Sequence, residues 1–179
     1  MIYAELSEPL YHGSSVPVSK KDLSQSALRK DFGQGFYTTN DKGQAEKFAR
    51  LKANREHQAK GYVSVFRFQG VGELSIKKFT MADRDWFDFV LCNRGFAALA
   101  SSEQDQVFDV VIGPVANDAV GLVLNQFIVG TYGDSLTAEA KETAIRLLLT
   151  QKLQNQVFFS DEIAISHLAF IEAYDVSAD

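Results

Sequence analysis

Cysteine, proline and histidine are all scarce in this chain of 179 residues, which has one, three and three of them. The single cysteine, Cys92, excludes an internal disulfide framework and a cysteine-rich metal site. His57 and His167 have no metal-ligand spacing with each other or with Cys92, so we expect no metal. The sequence has neither a run of roughly 18 apolar residues, as a membrane span needs, nor the pattern of a secretory signal. We therefore expect a cytoplasmic protein, or one exported without a signal peptide, with no membrane partner.

The chain also has fewer basic than acidic residues, with 18 lysines and arginines and 23 aspartates and glutamates, which gives a net charge of −5. Nucleic-acid binding normally needs a basic surface, so a protein partner is favoured, although an acidic chain can still carry a local basic patch. The apolar fraction of 46% and the charged fraction of 23% are ordinary for a globular protein. Length and the lack of repeats or linkers predict one domain over residues 1–179.

Strands and helices are predicted without strict alternation, which indicates an α+β fold rather than a doubly wound one. The segment 61–68 alternates apolar and polar residues as a half-buried strand does. Asn40 or Asp41 is suited to cap a following helix, in which Ala45, Phe48, Ala49 and Lys52 would share one side. The predicted strands cover 10–13, 35–39, 61–68, 107–113, 156–160 and 168–174, and the predicted helices cover 20–29, 44–58, 81–92, 119–128 and 137–152.

Two polar and glycine-rich clusters carry the candidate chemistry. His12 stands at the end of the first strand and is followed by Gly13 and Ser14, and a glycine lets a ligand approach the backbone closely. Further on, Gly33-x-Gly35 resembles part of a dinucleotide fingerprint, but a third glycine and a preceding strand are missing, so it fails as a Rossmann signal. Ordinary turn and core roles remain open for both clusters.

An aromatic pair accompanies the second cluster. Tyr37 lies in the predicted strand after Gly35, and Phe48 follows it by eleven positions, in the next helix. Two aromatics placed in this way can sandwich a flat heteroaromatic ring, or they can both belong to the core.

Taken together, His-Gly-Ser, Gly-x-Gly-Phe-Tyr-Thr-Thr and the later aromatic resemble the NAD site of ADP-ribosyltransferases. The similarity is to the histidine–tyrosine–glutamate branch, which contains diphtheria toxin and the poly(ADP-ribose) polymerases. The chain is also similar over nearly its whole length to a group of uncharacterised small bacterial proteins placed in that superfamily. The resemblance implies a split β-sandwich with flanking helices. It also implies that His12 binds the adenine-side ribose, that Gly13 holds the nicotinamide amide, and that Tyr37 and Phe48 stack the nicotinamide ring. Ser14 and Gly35 belong to the same NAD-binding segments.

The chain departs from this family at two positions. The catalytic glutamate of the family corresponds to Gln156, whose amide can bond a ribose hydroxyl but carries no negative charge, and the loss of that charge costs on the order of a few kcal/mol of transition-state stabilisation. Gln156 can suffice for transfer, Asp161 or Glu162 can enter the site instead, or the protein can bind NAD without turnover. Ala45 replaces a serine that bonds the nicotinamide amide in the polymerases.

Other polar residues have equally good structural interpretations. Asp109, Asn117 and Asp118 flank the turn at Gly113-Pro114, where turn capping accounts for them. Arg94, after Asn93, can meet a phosphate or an acidic target, or can end a helix.

The resemblance implies a mono-ADP-ribosyltransferase, an enzyme of the glycosyltransferase class that uses NAD as substrate, with a toxin or effector role and a possible antitoxin partner. The acceptor would be a macromolecule, with protein favoured over nucleic acid. The alternatives are a catalytically inactive NAD-binding module, suggested by Gln156, and an interaction protein whose aromatic clusters are all core.

Overall fold

The computed structural model describes residues 3–20, 23, 26–70, 72–101, 107–114, 118–149 and 153–178, with residue 118 described by its backbone only. The described residues form an α+β fold, as predicted. The helices are α1 (Ala4–Ser7), α2 (Lys42–Arg55), α3 (Arg84–Asn93), α4 (Asp118–Ile128), α5 (Ala138–Leu149) and α6 (Glu162–Ser166), and Ala97–Leu99 forms a 3₁₀ turn. The strands are β1 (Leu10–Ser14), β2 (Phe36–Thr38), β3 (Lys60–Phe68), β4 (Ile76–Lys78), β5 (Val110–Pro114), β6 (Asn155–Phe159) and β7 (Leu168–Ser177).

The strands form two sheets. The first sheet has the order β1-β3-β7 and is antiparallel throughout. The second sheet has the order β2-β6-β5-β4, and within it β4 pairs parallel with β5 while the other pairs are antiparallel. An isolated bridge between Tyr11 and Thr39 joins β1 to the end of β2. The bridge makes β1, β2 and β6 consecutive neighbours across the two sheets.

Three apolar clusters define the layers. The middle cluster lies between the sheets and contains Leu10, Phe66 and Phe68 from the first sheet and Phe36, Val110, Ile112, Val157 and Phe159 from the second. The largest cluster packs α3, α4 and α5 on the outer face of the second sheet, around Val111 and Phe158. The smallest packs α2 on the outer face of the first sheet through Ala45, Ala49, Val63 and Val176. Alternate residues of one strand therefore face different clusters, as a strand requires.

Aspartate caps set where three of the helices begin, namely α2, α3 and α6. The side chain of Asp41 accepts a hydrogen bond from the Gln44 amide at 2.9 Å, and α2 therefore starts at Lys42, two residues before the predicted start. Asp83 accepts from the Trp86 amide and starts α3 at Arg84. A capping carboxylate satisfies one of the free N–H groups of the first turn and is favoured by the helix dipole.

Several element predictions were wrong in part. The α-helix predicted over 20–29 is absent from the described residues of that segment, since Leu23 lies in a 3₁₀ turn and Lys20 and residues 26–29 form bends or irregular structure. Residues 21, 22, 24 and 25 lie outside the described part. Of the residues predicted to share one side of α2, Ala45 and Ala49 are buried together with Ala53, whereas Phe48 is exposed. The strand β4 was not predicted. No helix within the described ranges has the length and apolar character needed to cross a membrane.

Candidate active site

The centre of the candidate site is the point at which β1 and β2 separate. Tyr11 and Thr39 exchange two backbone hydrogen bonds, of 2.8 and 3.0 Å, across the bridge. Since backbone groups in a strand point alternately to the two sides, the N–H and C=O of Gly13 point to the same side as those of Tyr11, towards β2. By the same alternation the backbone groups of Tyr37 point towards β1. Beyond the bridge, Gly13 and Tyr37 therefore face one another across a gap lined with backbone donors and acceptors.

His12 spans this gap with its side chain. Its Nδ1 lies 2.7 Å from the backbone oxygen of Tyr37. A carbonyl oxygen can only accept, so Nδ1 carries the proton and, in the neutral ring, Nε2 is the acceptor nitrogen. The imidazole also packs against the ring of Phe36, with 4.6 Å between centroids. His12 is thus held in one orientation and one tautomer.

The side chain of Tyr37 lies on the opposite face of β2 from His12. Its hydroxyl donates to the Gly33 carbonyl at 2.6 Å and accepts from the Phe32 amide at 3.1 Å. Its ring contacts Phe158 of β6, with 4.9 Å between centroids. Burial raises the pKa of the Tyr37 phenol well above its ordinary value, so the hydroxyl stays protonated at physiological pH. The Tyr37 side chain is therefore held by the two hydrogen bonds of its hydroxyl and by the contact of its ring with Phe158.

The side chain of Lys30 lies over the ring of Tyr37. The Nζ of the exposed residue Lys30 lies 4.9 Å from the Tyr37 ring centroid, a cation–π distance. Sequence reasoning missed Lys30 because a lysine just after a predicted helix gives no signal of a ring contact. The contact shows that a positive charge can be accommodated on this face of Tyr37.

Gln156 is the polar residue of the candidate site that the fold leaves unsatisfied. It is 6% exposed, and its Nε2 has no hydrogen-bond partner among the described residues. Gln156 and Phe158 lie two residues apart in β6 and so point to the same face of the second sheet as Tyr37, which pairs directly with Phe158. A buried amide donor without a partner costs roughly 1–3 kcal/mol, and a ligand with a hydroxyl or carbonyl oxygen would remove that cost.

The three residues proposed as catalytic lie on neighbouring strands. His12 belongs to β1, Tyr37 to β2 and Gln156 to β6, and their register positions differ by no more than two residues. The side chain of His12 lies on the opposite face of β2 from the other two, so the fold brings the three strands together without placing the three side chains on one face. With about 4.8 Å between paired strands, the outer two backbones are on the order of 10 Å apart. That span is comparable to a ribose with its attached nicotinamide.

Phe48 is an exposed aromatic residue on α2 rather than part of the core. It is 46% exposed, and its ring is approached by Lys52, whose Nζ lies 6.0 Å from the centroid. No ring of the described residues stacks on it. Ala45, in the same helix, is buried against the first sheet. The structure therefore leaves Phe48 accessible to a ligand and does not pair it with Tyr37.

Close backbone packing accounts for the glycines at 13 and 35. A β-carbon at Gly13 would lie 2.2 Å from the backbone oxygen of Ala45, and one at Gly35 would lie 2.3 Å from the ring of Phe158. Gly13 lets α2 approach β1, and Gly35 lets β2 approach β6. Both glycines are required by the fold, whether or not a ligand is present. Ser14, the last residue of β1, is half-buried and opposes Tyr62 of β3.

Asp31 and Arg94 form an ion pair that anchors the glycine-rich segment. The Nε of Arg94 donates to Oδ1 of Asp31 at 2.7 Å, and both side chains are largely buried. Arg94 also caps the C-terminus of α3. Asn93 donates from its side chain to the Phe89 carbonyl at 2.9 Å. The motifs around residues 31 and 94 thus hold each other in place, and Arg94 is not directed to a phosphate.

The remaining acidic candidates have structural roles or lie elsewhere. Oδ2 of Asp109 accepts hydrogen bonds from the amide and hydroxyl of Ser75, at 2.6 and 2.7 Å. Asp161 caps α6 by accepting from the Ala164 amide at 2.8 Å. It follows Gln156 by five residues at the other end of β6, which is about 16 Å in an extended strand, and the next residue, Glu162, is exposed in α6. Asn117 and the side chain of Asp118 lie outside the described part of the chain.

Metal and family comparisons complete the description of the site. Within the described ranges, no three or more histidine, cysteine, aspartate or glutamate side chains are grouped so that they could hold a metal ion.

The chain matches, over residues 9–170, a family described as "Protein of unknown function (DUF3990)", and it belongs to that family. Comparison with curated proteins and with solved structures gives no match.

Proposed function

We propose that this protein is an NAD-dependent mono-ADP-ribosyltransferase whose site lies where β1 and β2 separate. The observation that carries the proposal is the position of His12, Tyr37 and Gln156 on three neighbouring strands, with the unpartnered amide of Gln156 at one side. These are the positions that the resemblance to the histidine–tyrosine–glutamate branch indicates. The fold and the site are compatible with that branch, and the activity is our inference.

The backbone of Gly13 suits the amide of nicotinamide. A primary carboxamide has one acceptor and one donor pointing in nearly the same direction, and a strand edge presents an N–H and a C=O with matching spacing. Gly13 directs both groups into the gap opposite Tyr37. Since Ala45 has no hydroxyl, the backbone of Gly13 would hold the amide without the serine contact of the polymerases.

The aromatic residues suit the nicotinamide ring, which is cationic in NAD. The face of Tyr37 already accepts the charge of Lys30, and a pyridinium ring would benefit from the same electrostatic attraction. Phe48 offers a second accessible ring on α2. In this arrangement Lys30 leaves the ring of Tyr37 when the substrate enters.

His12 and Gln156 would bind the two riboses. The Nε2 of His12 is an acceptor for a hydroxyl of the adenine-side ribose, because Nδ1 is committed to Tyr37. The amide of Gln156 can donate to, and accept from, a hydroxyl of the nicotinamide-side ribose. Orienting the ribose in this way contributes to rate by positioning alone.

The reaction breaks the bond between C1′ of the ribose and the nicotinamide nitrogen, and the electron pair of that bond leaves with neutral nicotinamide. A nucleophile of the acceptor forms the new bond to C1′ and loses a proton to solvent. Gln156 stabilises the developing positive charge only through its amide dipole, which predicts slow turnover. Asp161 and Glu162 are too far along the chain to replace it.

Nicotinamide release tests the proposal. We expect release from NAD by the wild type, with further release when a cell lysate supplies an acceptor, and none from His12→Ala or Tyr37→Ala, with unchanged far-UV circular dichroism. Gln156→Glu should release nicotinamide at an equal or higher rate, by as much as about 100-fold if it restores one electrostatic contact.

Other results would change the assignment. Undiminished release by both His12→Ala and Tyr37→Ala would mean that the site is elsewhere. NAD binding without release by the wild type, together with release by Gln156→Glu, would identify an NAD-binding module, which the uncharged Gln156 favours as the second candidate. Complete loss in Gln156→Glu would show that the amide itself is required.

A further inference from the structure

Helix α2 is strongly basic in an acidic protein. Its sequence has five lysines and arginines and one glutamate, a net charge of +4 over 14 residues. The rest of the chain has 13 basic and 22 acidic residues, because the totals are 18 and 23. We propose that the exposed side of α2 is the docking surface for the macromolecular acceptor, and that it binds an acidic protein segment carrying apolar residues. This inference rests on the proposed function.

Two of the basic residues share one side of α2 with two apolar ones. The buried alanines at 45, 49 and 53 recur every four residues and face the first sheet. On a helix of 3.6 residues per turn, a second group falls together on the side away from that stripe, and we call it the α2 patch: Lys47, Phe48, Leu51 and Arg55. All four are exposed.

The charges of the α2 patch are available to a partner. The single acid of the helix, Glu46, lies within 3.9 Å of Lys42 and within 3.8 Å of Arg50, outside the patch. Within the described part of the chain, Lys47 and Arg55 form no ion pair. An anionic segment can therefore pair with them without displacing an acid of this protein.

Exposed apolar side chains lie between these charges. Phe48 is 46% exposed and Leu51 is 42% exposed. An exposed apolar group bordered by like charges is typical of a surface that binds another protein. Phe48 is also one of the residues proposed to bind NAD, so a segment docked on the α2 patch would contact part of the proposed site.

Charge complementarity favours an acidic protein segment over nucleic acid. Nucleic acids are bound through many phosphate contacts, whereas this chain has a net charge of −9 outside α2, which would repel a polyanion extending beyond one helix. A short acidic segment can be confined to the four turns of α2. The leucine and phenylalanine would then contact its apolar residues.

Direct binding tests the inference without relying on turnover. The probe is a fluorescein-labelled peptide of repeating Glu-Glu-Leu units, measured by fluorescence anisotropy against the wild type and against Lys47→Gln/Arg55→Gln. Neither changed residue takes part in the NAD site. We expect the double variant to bind the peptide about fivefold more weakly, since two exposed charge contacts are removed, and to bind NAD as the wild type does.

Arg67→Gln/Arg146→Gln is the matched control, because it removes the same charge from exposed positions outside α2 that form no ion pair within the described part of the chain. The control should bind the acidic peptide as the wild type does, and a Gln-Gln-Leu peptide should not bind. Equal losses in the two double variants would overturn the inference, because net charge alone would then be responsible. So would tighter binding of a single-stranded oligothymidylate of the same charge, or no binding of the acidic peptide. Peptide binding that persists in a protein without NAD turnover would refute the proposed enzyme and leave the α2 patch standing.

Discussion

Replacing Gly13 with alanine would place a methyl group against the backbone of α2. The added β-carbon would lie 2.2 Å from the Ala45 oxygen and 2.9 Å from the Ala49 nitrogen. Both are backbone atoms, so no side chain can rotate away, and α2 must move by more than about 1 Å to restore an ordinary contact. Overpacking of this kind costs about 1–3 kcal/mol. We expect Gly13→Ala to lower the free energy of unfolding by about 2 kcal/mol.

The measurement is urea unfolding followed by circular dichroism, with thermal unfolding beside it. For a chain of this length, about 2 kcal/mol corresponds to a fall of roughly 4–8 °C in Tm. Gly121→Ala is the matched control, because Gly121 lies in α4 and nothing approaches its added β-carbon within 4 Å. In a helix interior, alanine should raise stability by about 0.5–1 kcal/mol.

The two substitutions therefore change stability in opposite directions. A Gly13→Ala protein within about 0.5 kcal/mol of the wild type would refute the close packing of α2 on β1. Because α2 carries Phe48, the same displacement should weaken NAD binding if the proposed site is correct. A destabilised variant that binds NAD normally would separate the packing role of Gly13 from the proposed binding role.

Two further predictions concern ion pairs, of which the first is buried and the second half-buried. Lys141 donates to Asp88 at 2.7 Å and to Ser101 at 2.8 Å, and the two charged residues are 4% and 6% exposed. Lys141→Met should lower the free energy of unfolding in urea by about 3 kcal/mol, and adding Asp88→Leu should recover most of that loss. If the second substitution recovers nothing, the loss does not come from an unpaired buried charge. Burial acts to raise the pKa of the Glu5 carboxyl, but the hydrogen bond from Lys78, a backbone hydrogen bond and the charge of Lys78 outweigh it and lower that pKa below its ordinary value. The wild type should therefore exceed Glu5→Gln in stability near pH 7 and lose that advantage as the pH falls through the folded-state pKa, and a pH-independent difference would argue against the pair.

Local sequence patterns were sufficient for most elements. The alternation in β3 and the spacing of Trp86, Phe89 and Val90 in α3 follow directly from strand and helix periodicity, and all three α3 residues are buried. Asp41 was one of two predicted caps for α2. By contrast, β4 has three residues without an apolar pattern and exists because β5 provides a parallel partner.

The candidate site was also predicted only in part from the sequence, and the rest depended on tertiary contacts. The residue types and spacings of His12, Gly13 and Tyr37 drew attention to them, the family resemblance added Gln156, and the roles of all four stay predictions. Sequence alone left the interpretation of Arg94 open, and its ion pair with Asp31 depends on a contact between residues 63 positions apart.

Tertiary packing also decided that Phe48 is exposed. The spacing of residues 45, 48, 49 and 52 is compatible with one helix face, but β1 contacts α2 through Gly13, where the two backbones meet without a side chain between them. Only alanines fit such a close approach, so the larger Phe48 lies outside it. Periodicity specifies which residues share a side of a helix or strand. The distance between packed backbones, which depends on the partner element, selects which of those residues are buried.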